Sequence, residues 1–115
     1  MIYTDILEMY SLCLEYGKFL EKEEYSKAFD VLRNMAKILV LRKNTANPEW
    51  KLKITELLLI GISTPLKIFA EYEAEDLELP KEAIAIIVSD LDSLHTGLVN
   101  LLVPSDVLKF KFYPN

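Results

Sequence analysis

The sequence predicts an all-α protein with a four-helix bundle-like domain. Apolar residues recur at three- and four-residue steps along most of the 115 residues, which is the period of one helix face. The three glycines and five prolines gather at a few breaks, whereas β-sandwiches and barrels need turns about every ten residues. Hydrophobic residues make up 51%, enough for burial to offset the entropy of ordering the backbone. We therefore expect one helical domain over residues 1–104 and an extended C-terminal tail over residues 105–115.

The first helix is predicted to start at Thr4, whose hydroxyl can cap it, and to reach about Lys22. One face of this helix carries Ile6, Met9, Cys13, Tyr16 and Leu20. A polar turn at residues 21–24 leads into the second helix. The inner face of the second helix carries Tyr25, Ala28, Leu32, Met35 and Leu39. These two stripes predict an antiparallel helix pair.

The third helix is predicted to begin at the break Thr45–Asn47. Asn47 can cap it, and Pro48 suits the first helical position, where its missing N–H costs little. The inner face is expected to carry Trp50, Ile54, Leu57, Leu58 and Gly61.

Pro65 interrupts this third helix. A proline here would clash with the carbonyl of Gly61 and remove one hydrogen bond, at a cost of about 3 kcal/mol inside a helix. We therefore expect the third helix to be kinked or split at Pro65. In the split form, Thr64 caps a new segment that runs to about Asp76.

The fourth helix is predicted to run from Pro80 to about Val103, before Pro104 ends it. Its main apolar stripe is Ile84, Val88, Leu91, His95, Leu98 and Leu102, with an adjoining line of Ile87, Leu94 and Leu101. The tail alternates two phenylalanines, Phe110 and Phe112, with two lysines, Lys109 and Lys111. This period of two predicts an extended conformation.

The sequence predicts a cytoplasmic protein without membrane attachment. Cys13 is a lone cysteine, and the first residues lack the basic and apolar regions of a signal peptide. The uncharged run at residues 57–66 would span about 15 Å as a helix, half of a bilayer core. Abundant Glu, Lys, Ile and Leu without any Gln resembles the bias of thermophilic proteins.

No catalytic, metal or cofactor motif is found, so the sequence predicts neither an enzyme nor a small-molecule substrate. Asp92 and His95 share one helix face, but di-iron bundles need a second such motif and further inward carboxylates. We expect His95 to flank the core, with Asp92 or a backbone carbonyl holding one ring nitrogen. Cys13 lacks a basic neighbour one turn away and is expected to pack in the core.

A cluster of basic residues between positions 31 and 55 carries a second functional hypothesis. The cluster consists of Arg33, Lys37, Arg42, Lys43, Lys51 and Lys53. Such residues could contact phosphates, which would make the chain a small helical subunit of a nucleoprotein complex. A net charge of -5 opposes that hypothesis, because an acidic chain repels a polyanion.

Four consecutive apolar residues, positions 57–60, point in nearly every direction around a helix, so part of them should stay uncovered. The sequence therefore favours a non-enzymatic protein–protein interaction or assembly module that self-associates, most economically as a homodimer. A different protein partner is the alternative, and the tail could instead fold back on its own domain. The predicted partner interface comprises Leu59, Ile60, Phe110, Phe112 and Tyr113.

Overall fold

The computed structural model of the chain describes residues 3–102, which form five α-helices and, within that range, no strand. The helices are α1 (Tyr3–Glu21), α2 (Tyr25–Thr45), α3 (Pro48–Gly61), α4 (Ser63–Ala74) and α5 (Lys81–Leu102). The all-α prediction is confirmed. The predicted extended tail, residues 105–115, lies outside the described residues.

The helices pack around one core. α1 contacts α2 and α5, and α3 contacts the other sides of the same two helices, while α4 contacts α2, α3 and α5. The predicted inner face of α1 is confirmed, because Ile6, Met9, Cys13, Tyr16 and Leu20 are all buried. On α5 the buried residues are Ala83, Ile87, Leu94 and Leu98. The predicted main stripe is therefore buried only at Leu98, Ile87 and Leu94 of the adjoining line are buried with it, and Val88 lies exposed.

The start of α3 is as predicted. The side chain of Asn47 accepts a hydrogen bond from the backbone N–H of Trp50 at 2.9 Å, and Pro48 occupies the first turn.

The third predicted helix is split, which is one of the two predicted forms, and residues 3–102 therefore contain five helices. The break falls at Ile62 (φ -121°, ψ -48°), and α4 already begins at Ser63, before the predicted cap Thr64. The Ser63 hydroxyl donates to the Leu58 carbonyl at 2.9 Å, and Ile62 is fully buried. These two interactions stabilise the break near Pro65, where an unbroken helix would lose the bond to Gly61.

Candidate interaction surfaces

The outer face of α3 exposes large apolar side chains. Leu52 and Leu59 are 62% and 66% exposed, and they lie two helical turns apart on one face. Ile60 is 42% exposed, whereas Leu57 on the inner side is 3% exposed. The expectation that part of residues 57–60 stays uncovered is confirmed for Leu59 and Ile60. Their predicted role in binding a partner stays a prediction.

A shallow groove runs beside Ile60, between α3 and α5. It is lined by Ile60, Asp92, Ser93, Thr96, Gly97 and Asn100 and encloses about 450 Å³. Ile60 therefore belongs both to the outer face of α3 and to the lining of this more polar groove. The other three predicted interface residues, Phe110, Phe112 and Tyr113, lie outside the described residues.

The predicted basic cluster is partly engaged within the protein. Arg33 pairs with Asp30 and lies 4.3 Å over the ring of Phe29. Arg42 pairs with Asp5 of α1 at 3.1 Å. These contacts hold both guanidinium groups against their own chain.

Lys53 pairs with Glu49 at 3.3 Å and lies 4.7 Å from the centre of the Trp50 ring. Within residues 3–102, Lys37, Lys43 and Lys51 take part in no ion pair. Arg42 therefore faces α1, while Lys53 lies along α3. The predicted contact of the six basic residues with nucleic acid stays a prediction.

His95 contacts α1 instead of its predicted partners. Its Nε2 lies 3.3 Å from the Tyr10 hydroxyl, and the two rings are tilted with centroids 5.3 Å apart. Asp92 is exposed and makes no hydrogen bond to His95. In the described part of the chain, no three His, Cys, Asp or Glu side chains converge as a metal site requires.

A small polar group is buried where α1 meets α5. Burial raises the pKa of the Cys13 thiol to about 11, so the thiol stays protonated at neutral pH. Burial, followed by the nearby Cys13 and Asp90, raises the pKa of the Tyr16 phenol. Tyr16 Oη is buried and, among the described residues, has no hydrogen-bond partner.

An aromatic pocket, which sequence reasoning missed, lies at the corner between α2, α4 and the turn into α5. Its floor is the stacked pair Phe29 and Phe69, with ring centroids 5.3 Å apart. The cavity measures about 180 Å³. Its walls are Tyr25, Ser26, Tyr72, Glu73, Leu77 and Leu79. The sequence signals were Tyr25 and Phe29 four residues apart and Phe69 and Tyr72 three residues apart, each pair on one helix face.

Two turns in left-handed backbone conformation flank this pocket. Asp76 (φ 53°) ends α4 with backbone bonds from Asp76 N–H to Glu73 and from Leu77 N–H to Tyr72. This is the Schellman arrangement, and it brings Leu77 back beside the last turn of α4. Glu23 (φ 60°) ends α1 in the same way. In both turns a non-glycine residue adopts a positive φ, at a free-energy cost that glycine would not carry.

The pocket has an acidic rim. Two neighbouring concavities share Leu77 with the aromatic pocket, and together the three are lined by Glu23, Glu71, Glu73, Glu75 and Glu78. Within residues 3–102, none of these five carboxylates forms an ion pair. Burial, followed by the Glu23 carboxylate, raises the pKa of the Tyr25 phenol. The rim is therefore a region of negative potential beside exposed aromatic rings.

By length and composition, α5 is the described helix that could cross a membrane. Its Ile87, Leu94 and Leu98 lie in the protein core, but only 17% of its most apolar 18-residue stretch is buried. The core helix of a globular protein has the same length and composition, so this feature does not by itself indicate a membrane protein.

The described residues thus define an all-α protein of five helices with an apolar α3 face and an acid-rimmed aromatic pocket. Comparison of the chain with family models, curated proteins and solved structures finds no significant match.

Proposed function

We propose that the chain is a non-enzymatic protein–protein interaction or assembly module that self-associates through the outer face of α3. In this proposal its helices form a four-helix bundle-like scaffold, and the cytoplasm is its compartment. The observation that carries the proposal is the exposure of Leu52, Leu59 and Ile60 on one helix.

An exposed apolar face of this kind gains free energy when it is covered. Full burial of one leucine side chain stabilises by about 1.5–3 kcal/mol, so Leu52 and Leu59 in both copies could support a weak dimer. Glu56 lies between Leu52 and Leu59 on the same face and is exposed, so two copies have to pack with this carboxylate kept in water at the edge of the contact.

The test is the sedimentation of the full chain over a range of concentrations. Wild type is expected to convert from monomer to dimer as concentration rises. The double variant Leu52→Glu/Leu59→Glu should weaken dimerisation by at least about tenfold, because four carboxylates would be desolvated at the interface. Its melting temperature should stay near wild type, since surface substitutions change stability by about 0.5 kcal/mol or less.

Leu14→Glu is the matched control. Leu14 is 45% exposed on α1, away from α3, and takes the same change of size and charge. It should leave the dimer intact. A wild-type chain that stays monomeric at every concentration, or a dimer that Leu14→Glu weakens as much as the double variant does, contradicts the proposal.

A further inference from the structure

The acid-rimmed aromatic pocket has the chemistry of a binding site for a basic and aromatic peptide segment. Its stacked floor, Phe29 and Phe69, is only 7% and 4% exposed, and the Arg33 guanidinium lies over the Phe29 ring. The side chains open to a ligand are therefore Tyr25, Tyr72 and Leu77 at the mouth, which remain partly or largely exposed. A peptide ring inserted there would cover these side chains, and aromatic pairs gain about 0.5–1.5 kcal/mol beyond the area they bury.

The surrounding charge selects for a cationic ligand. The five rim glutamates have no cation within the described residues, as shown above. A lysine placed at the rim would meet carboxylates and the faces of tyrosine rings together, and both attract an ammonium group. An acidic or purely apolar segment would lack this complementarity.

The chain carries a segment of this composition near its C-terminus. Residues 109–113 read KFKFY, with two lysines alternating with three aromatic residues. Thirteen residues follow the described end of α5 at Leu102, and this segment falls in their second half.

The length of α5 argues against binding of this segment to the pocket of its own chain. Leu77 and Leu79 place the pocket before the first turn of α5, whereas the C-terminal segment starts after its last residue. The 22 residues of α5 separate these two ends by about 32 Å. A fully extended chain carries Lys109 at most about 25 Å from Leu102, Phe110 about 29 Å, Phe112 about 36 Å and Tyr113 about 40 Å. Only the last residues of the segment could therefore touch the pocket of their own chain, and only when the chain is fully extended, whereas a second copy can accommodate residues 109–113 together.

We propose that residues 109–113 of one copy bind in the aromatic pocket of a second copy, with the lysines facing the acidic rim. The inference rests on the self-association proposed above and adds a second, reciprocal contact to it. One of the rings Phe110, Phe112 or Tyr113 packs against Tyr25, Tyr72 and Leu77 at the mouth of the pocket. Lys109 and Lys111 approach Glu73 and Glu78.

The test uses two full-length variants of opposite design. The rim variant carries Glu73→Lys and Glu78→Lys, and the tail variant carries Lys109→Glu and Lys111→Glu. Each alone brings like charges together and should self-associate about tenfold more weakly than wild type. An equimolar mixture should recover wild-type affinity, because each tail then meets a rim of opposite charge. Sedimentation with one variant fluorescently labelled measures the mixed dimer.

The matched control is Glu8→Lys/Glu15→Lys on the exposed side of α1, which makes the same change of net charge. It should leave self-association within about twofold of wild type. If this control weakens the dimer as much as the rim variant does, or if the mixture fails to recover, the inference is overturned.

Failure of this inference can be separated from failure of the proposed function. A wild-type dimer that is sensitive to Leu52→Glu/Leu59→Glu but insensitive to both charge reversals keeps the function and overturns the pocket contact. A wild-type chain that is monomeric at all concentrations overturns both. Recovery in the mixture, with no effect of the α3 variant, supports the pocket contact and moves the self-association away from α3.

Discussion

α5 packs against α3 on one side and against α1 on the other, and the two seams are built differently. On the α3 side, Gly61 lies so close to α5 that an added Cβ would be 2.5 Å from the Cβ of Leu94 and 3.0 Å from the carbonyl oxygen of Asp90. On the α1 side, a Cβ at Gly17 would lie 3.4 Å from Leu91, an ordinary contact distance. The α1 side also holds the polar groups, namely Tyr10 with His95 and the buried Tyr16 hydroxyl.

The difference shows where the fold can tolerate change. The α3 seam is set by backbone proximity, so it can hardly adjust without separating the two helices. At the α1 seam a Cβ at Gly17 has room, and the cost there lies in the desolvated Tyr16 hydroxyl instead of a steric limit. The helix whose outer face is proposed to bind a partner is therefore held by the seam with the smaller steric tolerance.

The largest expected effect comes from adding one methyl group along these seams. Gly61→Ala should lower the free energy of unfolding by about 3 kcal/mol, because the clash is with backbone and Cβ atoms of α5. Gly97→Ala should cost less, since its Cβ would meet the flexible ends of Leu57 at 2.9 Å and Ile60 at 3.2 Å. Chemical denaturation of Gly61→Ala, Gly97→Ala and Gly17→Ala measures their free energies of unfolding relative to wild type.

Gly17→Ala is the control in this series. It should stabilise the protein by up to about 1 kcal/mol, because alanine favours the helix and no clash opposes it. Equal changes in the free energy of unfolding for Gly61→Ala and Gly17→Ala would show that the two seams do not differ in how closely the helices approach.

The next largest effect is expected at alkaline pH and belongs to the α1 seam. The pKa of Cys13 is about 11 in the folded protein, above the ordinary value of 9.0. Between these values the unfolded chain has lost the thiol proton while the folded chain keeps it. The free energy of unfolding therefore falls as pH rises from 9 to 11. The loss should approach about 2 kcal/mol.

Comparison with Cys13→Ala isolates this contribution, because the variant has no thiol to titrate at that position. Its unfolding free energy should decline less steeply over the same pH range, although its absolute stability is lower from the lost packing. Identical slopes for the two proteins would contradict the burial-raised pKa of Cys13.

Much of the helical fold follows from local sequence, and the errors in predicting it come from contacts that form only when the chain folds. Asn47 and Pro48 started α3 as predicted, since the cap and the first-turn proline act within one turn. The break near Pro65 was expected two residues later than Ile62, because the hydrogen bond from Ser63 to Leu58 arises only when the chain turns. α5 has neighbours on both sides, and periodicity alone does not say which of its two apolar lines they bury.

The candidate site was predicted less well. Exposure of Leu59 and Ile60 followed from four apolar residues in a row, which no helix can bury on one face. The aromatic pocket did not follow, because Phe29 and Phe69 are forty residues apart and meet only through the packing of α2 and α4. The acidic residues around position 75 match no metal-binding pattern in the sequence, and only the turn at Asp76 and Leu77 places them beside that pocket.

The smallest expected effect concerns the Tyr16 hydroxyl and would sharpen the comparison between the two seams. Tyr16→Phe removes a buried polar group that lacks a partner among the described residues, and it keeps the ring. The variant should be more stable than wild type by about 1 kcal/mol, because an unsatisfied buried hydroxyl costs about 1–3 kcal/mol. Thermal and denaturant unfolding at neutral pH, with Tyr10→Phe as a control that loses the 3.3 Å contact to His95, measures this gain. Destabilisation by Tyr16→Phe equal to that of Tyr10→Phe would mean that the Tyr16 hydroxyl is satisfied in solution, and the desolvation cost assigned to the α1 seam would then be wrong.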